Sequence, residues 1–313
     1  MMNKNNRNIK NLDSKKIDSF LITSKKDHFI EIIRMFFNNK LAITGGFIIF
    51  IIILVAIFAD FIAPYDPFLV DSSNSLAPPS KLHIFGTDQF GRDLFSRVIF
   101  GTRISMTVGI FSVLISAIIG TMVGAFAGFY GGIVETILMR IMDTIFSFPT
   151  ILLAITLAAI LGPNTLNVII AIGIIYIPIF ARVVRSTVLA NKQKDYVEAA
   201  VSIGQKNFNI LFFHILPNCI SPIIVQATVA FAEAIIIEAG LSFVGLGPPP
   251  PSPSWGRMLS DARQYMTDYP LLAIFPGLAI SITILGLNLL GDGLRDILDP
   301  RLKSSNIGLN YKI

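Results

Sequence analysis

Long uninterrupted apolar runs dominate the hydrophobic pattern of the chain. A helix needs roughly 20 residues to cross the hydrocarbon core of a membrane, and five charge-free runs approach or exceed that length. They are residues 41–59, 104–134, 144–181, 207–232 and 269–291. The third run is too long for one span, and the stretch LGPNT near its middle has the Gly-Pro-Asn chemistry of a turn. The pattern therefore predicts an all-α membrane protein with six transmembrane helices.

The apolar runs have two alternative interpretations. Membrane-spanning strands would alternate apolar and polar residues over about ten-residue segments, and none of the runs does so. A cleavable signal peptide would account for residues 41–59, but this run follows a long polar leader and lacks a small-residue cleavage site. We therefore expect a retained membrane anchor. The composition agrees, because hydrophobic residues make up 53% of the chain and charged residues only 14%.

Positive charge is distributed unevenly among the polar segments. Residues 1–40 carry nine basic and four acidic side chains, whereas residues 60–103 carry four basic and five acidic ones. Basic residues also exceed acidic ones in residues 182–206. Since cytoplasmic segments of membrane proteins are rich in Lys and Arg, both termini and the segment at residues 182–206 are predicted to be cytoplasmic.

These assignments predict five successive regions. A cytoplasmic tail is followed by the first transmembrane helix, an extracytoplasmic loop, a core of five transmembrane helices and a second cytoplasmic tail. A cytoplasmic loop interrupts the core at residues 190–217. In chain order the five regions are residues 1–40, 41–63, 64–100, 101–292 and 293–313.

Side chains that could carry catalysis or bind a metal are sparse. Cys219 is the only cysteine, and the three scattered histidines have no metal-ligand spacing. The sequence contains no G-x-x-x-x-G-K-[ST] phosphate-binding loop. We therefore expect no metal, no bound cofactor, no nucleic-acid partner and no nucleotide hydrolysis by this chain itself.

One mixed-charge stretch, KDYVEAAVSIGQKNFNILFFHILPN at residues 194–218, separates two apolar runs. Asp195 is predicted to cap a short helix that has Glu198 near its start, where the helix dipole favours negative charge. Gly204 offers a left-handed end to that helix. An apolar stripe at helical spacing is formed by Tyr196, Ala199, Ala200 and Ile203.

This short helix has two candidate locations. It could lie on lipid headgroups, as many short amphipathic segments between spans do, or it could dock into a groove of another protein. Helices that bind lipid usually oppose a bulky Trp, Phe or Leu face with Lys and Arg. Two alanines and a glutamate fit a protein groove better.

The stretches EAAVSIG and HILPN resemble the EAA loop of ABC-importer permeases, whose pattern is E-A-A-x3-G-x9-I-x-L-P. One position departs from the general pattern, because His214 stands in place of Ile, and HILPN is typical of the peptide and nickel branch. The resemblance implies that the helix docks into a cleft on a cytoplasmic ATPase. The residues that it assigns to this coupling are Glu198, Ala199, Ala200, Gly204, His214, Leu216 and Pro217.

Two further stretches resemble the same branch. GTDQFGRD, within residues 83–105, is similar to the family's approach to the second span, and residues 238–259 resemble the stretch that leaves its fifth span. The chain therefore resembles most closely the second, C-type permease of the peptide importers. The residues of the extracytoplasmic motif are Gly86, Asp88, Gly91, Arg92 and Asp93.

The resemblance implies a fold, a location and partners. The fold is that of a type I ABC-importer permease with six transmembrane helices, in the cytoplasmic (inner) membrane of a bacterium. The partners are membrane lipid, a second permease subunit, two cytoplasmic ATPase subunits that use ATP and Mg, and an extracytoplasmic solute-binding protein.

The cargo implied is a di- or oligopeptide, and nickel or another small solute is the alternative for the same machinery. An ion-coupled secondary transporter is the alternative of a different class. Such a transporter would need its own coupling-ion site and often shows internal repeats, which the sequence does not display. An intramembrane enzyme would need paired catalytic side chains, and the spans offer none.

Two acidic residues, Glu233 and Glu238, are placed deep in the fifth predicted span. Acids at that depth face protein or water rather than lipid, because burying a charge in hydrocarbon is costly. They either line the translocation path or pair with Arg103 or Arg140 on other helices. Two acids alone do not define a path, which favours the structural interpretation. We also expect Arg140 to pair with Asp143, three residues along the same helix.

Several other residues have structural interpretations. Arg92 and Arg97 are expected to reach the lipid headgroups, with contact to a solute-binding protein as the alternative role of their motif. Trp255, the only tryptophan, is expected to anchor at the outer interface. Three glycines recur every four residues in the second span and are expected to pack internally or against the partner permease. These glycines are Gly120, Gly124 and Gly128.

Overall fold

The part of the chain that the computed structural model describes comprises residue 30 and residues 33–298, and it is mostly helical. It contains no β-strand, and its isolated bridge joins Thr87 to Asp93. The predicted all-α class is therefore confirmed. Most of the predicted N-terminal tail and residues 299–313 of the predicted C-terminal tail lie outside the described residues.

Nine helices of eight or more residues are numbered here within residues 40–298. Asn39 starts the first of them, because its side chain accepts hydrogen bonds from the amides of Leu41 and Ala42 at 2.9 and 3.1 Å. The helices are α1 (Lys40–Ile57), α2 (Leu94–Tyr130), α3 (Gly132–Phe146), α4 (Thr150–Leu161), α5 (Thr165–Lys192), α6 (Asp195–Ser202), α7 (Ile220–Phe243), α8 (Trp255–Ala262) and α9 (Leu271–Leu298).

Five helical segments are long and apolar enough to cross a membrane. Four of them are α1, α2, α5 and α9, and the fifth is the segment Asn207–Phe243, which ends in α7. Helices α3 and α4 pass the same test only together, and they are bent by 90° at the break between them. The described residues therefore provide five spans, or six when the bent pair counts as one, in agreement with the predicted number.

Helix α2 begins at Leu94, ten residues before the predicted run at residue 104. The start predicted from the absence of charge was wrong, because the arginines in the first turns of α2 contact other groups of the protein. Arg103 donates from Nε to the Ala56 carbonyl at 3.0 Å and pairs with Asp60 at 3.0 Å. Ion pairing and backbone acceptors thus let the helix start ahead of its apolar part.

The third predicted span is interrupted by a proline. Pro149 has no N–H to donate and disfavours helical backbone at the preceding Phe148, so α3 ends at Phe146 and α4 begins only at Thr150. Gly162, with φ +86°, then ends α4 before Asn164 starts α5. The predicted turn within residues 161–165 is confirmed, whereas a single straight helix from residue 144 to that turn was wrong.

The glycine seam of α2 packs inside the chain, as one of the two interpretations predicted. A Cβ atom at Gly120 or Gly124 would overlap α5 near Ala181, and one at Gly128 would meet the Arg185 carbonyl at 3.0 Å. These glycines let the backbones of α2 and α5 come close. The two helices consequently form the most extensive helix contact in the described chain.

Trp255 is buried in this helix bundle rather than exposed at an interface. Its indole is 1% exposed, and Nε1 donates to the Val98 carbonyl of α2 at 3.0 Å. Gly101 provides the space, because a Cβ atom there would lie 2.9 Å from the indole ring. The predicted interfacial anchor was therefore wrong, and the indole instead fixes α8 to the start of α2.

Candidate functional site

The loop assigned to ATPase coupling contains helix α6. The residue that precedes this helix is Lys194, which makes no side-chain capping bond, so the predicted cap at Asp195 was wrong. Asp195 is instead the first helical residue. Asp195 and Glu198 nevertheless both lie in the first turn, where the positive end of the helix dipole stabilises negative charge.

The two faces of α6 have different environments. Val197 and Ala200 are buried and pack against a cluster that includes Leu211. On the other side, Ala199 and Ile203 are exposed. The predicted apolar stripe is therefore divided, since Ala200 belongs to the inner face, and an apolar surface next to the exposed Glu198 is available to another molecule.

Gly204 has the left-handed backbone conformation that the sequence predicted. Its φ is +75°, and no atom outside its immediate neighbours lies within 4 Å of a Cβ built on it. A side chain at this position would therefore strain the backbone without overlapping the rest of the chain. The conformation turns the chain away from α6 toward the segment that leads back into the helix bundle.

Side-chain hydrogen bonds fix the orientation of α6. His214 Nε2 lies 2.8 Å from Oε1 of Gln205, which joins the segment after Gly204 to the rising chain. Tyr196 donates from its hydroxyl to Asn191 at 3.1 Å and accepts from Asn218 at 3.3 Å. Sequence reasoning assigned no role to Gln205, Asn191 or Asn218, because each bond depends on how the loop folds back.

The Tyr196 phenol can act as a donor in this network at neutral pH. Burial raises its pKa above the ordinary value, and the neighbouring Cys219 raises it further. The phenol therefore stays protonated and keeps its hydrogen bond to Asn191. Leu216 and Pro217 lie just beyond the network, in a short 3-10 turn, Leu216–Cys219, that precedes α7.

The GTDQFGRD motif forms a compact loop at the end of the bundle that carries α8. Gly86 and Gly91 have φ of +80° and +74°, and a Cβ atom at Gly91 would overlap the backbone of Asp71. Asp71 itself caps a 3-10 turn. Hydrogen bonds from Ser73 and Asn74 lower the pKa of its carboxyl, so it stays ionised.

Buried charges hold this loop to the helices. The Asp88 carboxylate accepts a hydrogen bond from Arg92 Nε at 2.7 Å and lies 3.4 Å from Arg97 Nε. Asp261 of α8 lies 4.0 Å from Arg92 and 3.0 Å from Arg257. Since Arg92 and Arg97 are 6% and 2% exposed, their predicted position at the lipid headgroups was wrong.

Asp93 connects the same loop to α2. Its carboxylate accepts the Ser96 amide at 2.8 Å, which caps the helix, and lies 2.9 Å from His83 Nδ1. Both residues are largely shielded from solvent. The charged side chains of the motif therefore stabilise the loop itself. The residues exposed at this end of the bundle are different ones, such as Phe90.

The two deep acids have different environments. Glu238 is fully buried and accepts hydrogen bonds from Ser105 at 3.1 Å and Ser242 at 2.7 Å, which ties α7 to α2. Glu233 is exposed on the surface of this single chain. The predicted pairing with Arg103 was wrong, because Arg103 pairs with Asp60.

The pairing predicted within α3 was also wrong. Asp143 pairs with Arg182 of α5 at 2.7 Å, and Glu135 accepts a hydrogen bond from Arg185 Nε at 2.7 Å. These two ion pairs connect α3 to α5 across a charged pocket that Arg140 also lines. Arg140 itself forms no ion pair with Glu233, Glu238 or any other acid within residues 33–298.

Comparison with known proteins identifies the class of this chain. It belongs to the family described as the inner membrane component of binding-protein-dependent transport systems, which matches residues 120–304. Residues 29–79 match the N-terminal TM domain of oligopeptide transport permease C. The chain is thus a permease subunit of an ABC importer and not an enzyme, as its resemblance to the C-type peptide permeases predicted.

Individual relatives cover most of the chain. The dipeptide transport system permease protein DppC of Alkalihalophilus pseudofirmus is 48% identical over 267 residues, which are 85% of this chain and 88% of that protein. The glutathione transport system permease protein GsiD of Escherichia coli is 49% identical over 273 residues, 86% of this chain and 89% of that protein.

The fold has a solved counterpart. A chain of the MetNI methionine ABC transporter in inward-facing conformations superimposes with a TM-score of 0.52 at 19% identity, covering 65% of this chain and 96% of that one. This likeness shows the fold alone. It confirms the predicted architecture of an ABC-importer permease.

The structure separates the predicted site residues into three places. The loop around α6 contains Glu198, Gly204 and His214, while the GTDQFGRD motif lies at the opposite end of α2 and α7. Glu233 lies between these ends, within α7. No single catalytic centre is formed from them, and each place has its own physical task.

Proposed function

We propose that this chain forms half of the translocation pathway of an ATP-driven importer for di- or oligopeptides in the bacterial inner membrane. The observation that carries the proposal is the outward face of α6, with Glu198 and Ala199 exposed beside the left-handed Gly204. The names of the DppC and GsiD relatives support a peptide as cargo. ATP and Mg belong to the partner ATPase subunits in this proposal.

Coupling is proposed to occur at the α6 loop. The inner face of α6 packs on the chain, and hydrogen bonds from His214 and Tyr196 hold the loop on both sides. A cytoplasmic ATPase that binds the outer face therefore moves a segment joined directly to α5 and α7. The motion of the ATPase reaches the membrane spans through these two helices.

The remaining partners are assigned by position. A second permease subunit covers the membrane face on which Glu233 is exposed, and a solute-binding protein docks at the end that carries α8. Glu238 is assigned a structural role, because its carboxylate is enclosed by hydroxyl groups. Glu233 is assigned to the translocation pathway.

The orientation of the chain is open to a direct test. A cysteine introduced at the exposed Ser72 should be labelled from outside intact cells by an impermeant maleimide, because the distribution of basic residues predicts that this loop is on the outer side. A cysteine at the exposed Ser202 should be labelled only after the membrane is opened. Both variants carry Cys219→Ser. The reverse pattern of labelling would show that the topology is inverted.

The function itself is tested by purification and transport. A tagged chain should copurify with a second permease and a cytoplasmic ATPase, and vesicles holding this complex should take up peptide when the solute-binding protein and ATP are supplied. Peptide uptake driven by an ion gradient without ATP would contradict the proposal and favour a secondary transporter. Uptake of nickel but not of peptides would reject the cargo and keep the machinery.

A further inference from the structure

Glu233 occupies a position that requires an explanation. It lies about 15 Å along α7 from the end of that helix at Phe243, deep within a segment long enough to cross the membrane. Its side chain is exposed on the surface of the single chain, beside the exposed Ile236. A carboxylate at this depth does not face lipid, so it faces a partner chain or an aqueous path.

Three arginines on the neighbouring helices α2 and α5 already have acidic partners, and Arg140 forms no ion pair within residues 33–298. Arg103 pairs with Asp60, Arg182 pairs with Asp143, and Arg185 pairs with Glu135. Among the ion pairs formed within residues 33–298, none includes Glu233. The charge of Glu233 therefore remains available to a cation that comes from outside the described chain.

Glu233 lines an open pocket on this surface. The pocket has a volume of about 380 Å³ and includes Tyr176 of α5 and the rings of Phe146 and Phe148, which flank the bend between α3 and α4. Aliphatic side chains of α5 and α7 complete the wall. This size and the mixture of an apolar wall with few polar groups are typical of sites for small organic ligands.

The depths of the two polar groups agree. Tyr176 lies about 16 Å from the start of α5 at Thr165, and Glu233 lies a similar distance from the end of α7. The start of α5 and the end of α7 pack at the same end of the bundle. Tyr176 and Glu233 therefore lie at a similar depth along the helices. The pocket therefore lies on the surface of the chain, about halfway along these membrane-spanning helices.

We propose that this pocket binds the ammonium group of a peptide during transit, with Glu233 as its counter-ion. This inference rests on the proposed function as a peptide importer. A carboxylate forms strong charge-assisted hydrogen bonds with an ammonium, and aromatic faces attract a cation as well. The aliphatic wall accepts the side chains of the peptide without selecting among them.

The chemistry of the pocket favours an ammonium over a metal ion. One carboxylate and the hydroxyl groups of Tyr176 and Thr150 are its polar side-chain groups. Nickel and zinc sites are built from several imidazole, thiolate or carboxylate ligands. A peptide ammonium needs only one anion and a few acceptors, which the pocket provides.

The test measures binding by the complete complex in nanodiscs, without the solute-binding protein. The probes are tritiated alanyl-phenylalanine and the same peptide with an acetylated amino group. The wild-type complex should bind the free amine at least about tenfold more tightly. Glu233→Gln should remove this preference, and the control Asp268→Asn, which changes an exposed acid outside the pocket, should keep it.

Other outcomes would overturn the inference. Equal binding of both peptides by the wild type, no measurable binding of either, or an unchanged preference in Glu233→Gln would each do so. Loss of the partner permease from the Glu233→Gln complex, with the preference intact in what remains assembled, would identify an ion pair between subunits instead. If the wild-type complex also fails to take up peptide with ATP and the solute-binding protein, the proposed function has failed as well.

Discussion

Glu198→Lys is expected to abolish uptake while the chain still inserts and pairs with its partner permease. Glu198 is exposed and its carboxylate forms no ion pair within residues 33–298, so folding loses little. A lysine in the first turn of α6 opposes the helix dipole at a cost of about 0.3–1 kcal/mol. When α6 docks on the ATPase, a like-charge contact made by the new lysine costs several kcal/mol more. Each 1.4 kcal/mol weakens binding of the ATPase about tenfold.

The measurement combines uptake, peptide-stimulated ATP hydrolysis and recovery of the ATPase on the tagged permease. Glu198→Gln, which removes the charge without reversing it, should give an intermediate loss. Wild-type uptake by Glu198→Lys would show that α6 does not dock on the ATPase.

Substitution of Gly204 is also expected to uncouple ATP hydrolysis from uptake. Gly204→Asp strains a left-handed backbone by about 1–2 kcal/mol but overlaps no other part of the chain. Gly245 provides a matched control, because its φ is +87° and a Cβ atom there also meets nothing within 4 Å. Gly245→Asp should therefore cost similar stability and keep coupling, whereas Gly204→Asp should uncouple. Equal loss of uptake in both variants would assign the effect to strain alone.

The helices and the left-handed turn after α6 could be predicted because their determinants are local. Runs without charge define the spans, since the hydrocarbon core contains no water and a helix crossing it needs about 20 predominantly apolar residues. The conformation of Gly204 follows from its place just after a short helix. These features depend on neighbours in the sequence and require no knowledge of the rest of the fold.

The bend between α3 and α4 was missed although its cause is visible in the sequence. Pro149 lies inside a charge-free run, and hydropathy does not distinguish a straight span from one broken at a proline. Prolines are tolerated inside other helices of this chain, at Pro178 of α5 and Pro276 of α9. The outcome at each proline depends on packing around it, which the pattern of apolar residues does not contain.

The contacts of charged residues near the span ends were missed for a different reason. Asp88 and Asp261 are far apart in sequence, so the pattern gave no indication that both approach Arg92. An arginine beside an apolar run is commonly interpreted as a headgroup ligand. The local signs of the cluster are two four-residue spacings, from Asp88 to Arg92 in the loop and from Arg257 to Asp261 on α8.

This buried cluster carries the last large expected effect, that of Asp88→Asn. Asp88 is 5% exposed and faces the guanidinium groups of Arg92 and Arg97. The substitution leaves two buried cations with weaker compensation, and removing one partner of a buried ion pair costs about 3–5 kcal/mol. We expect this cost to appear as local opening of the loop at residues 71–93.

Hydrogen–deuterium exchange measures that opening directly. The amides of Leu76 and Thr87 are bonded within the loop, and their exchange should become more than about a hundredfold faster in Asp88→Asn. Asp60→Asn is the matched control, because it removes an ion pair with Arg103 whose partners are 63% and 40% exposed. Such exposed pairs contribute about 0–1 kcal/mol, so exchange should change little there. Unchanged exchange in Asp88→Asn would mean that the loop does not depend on its buried charges, and that hydrogen bonds of its backbone hold it in place.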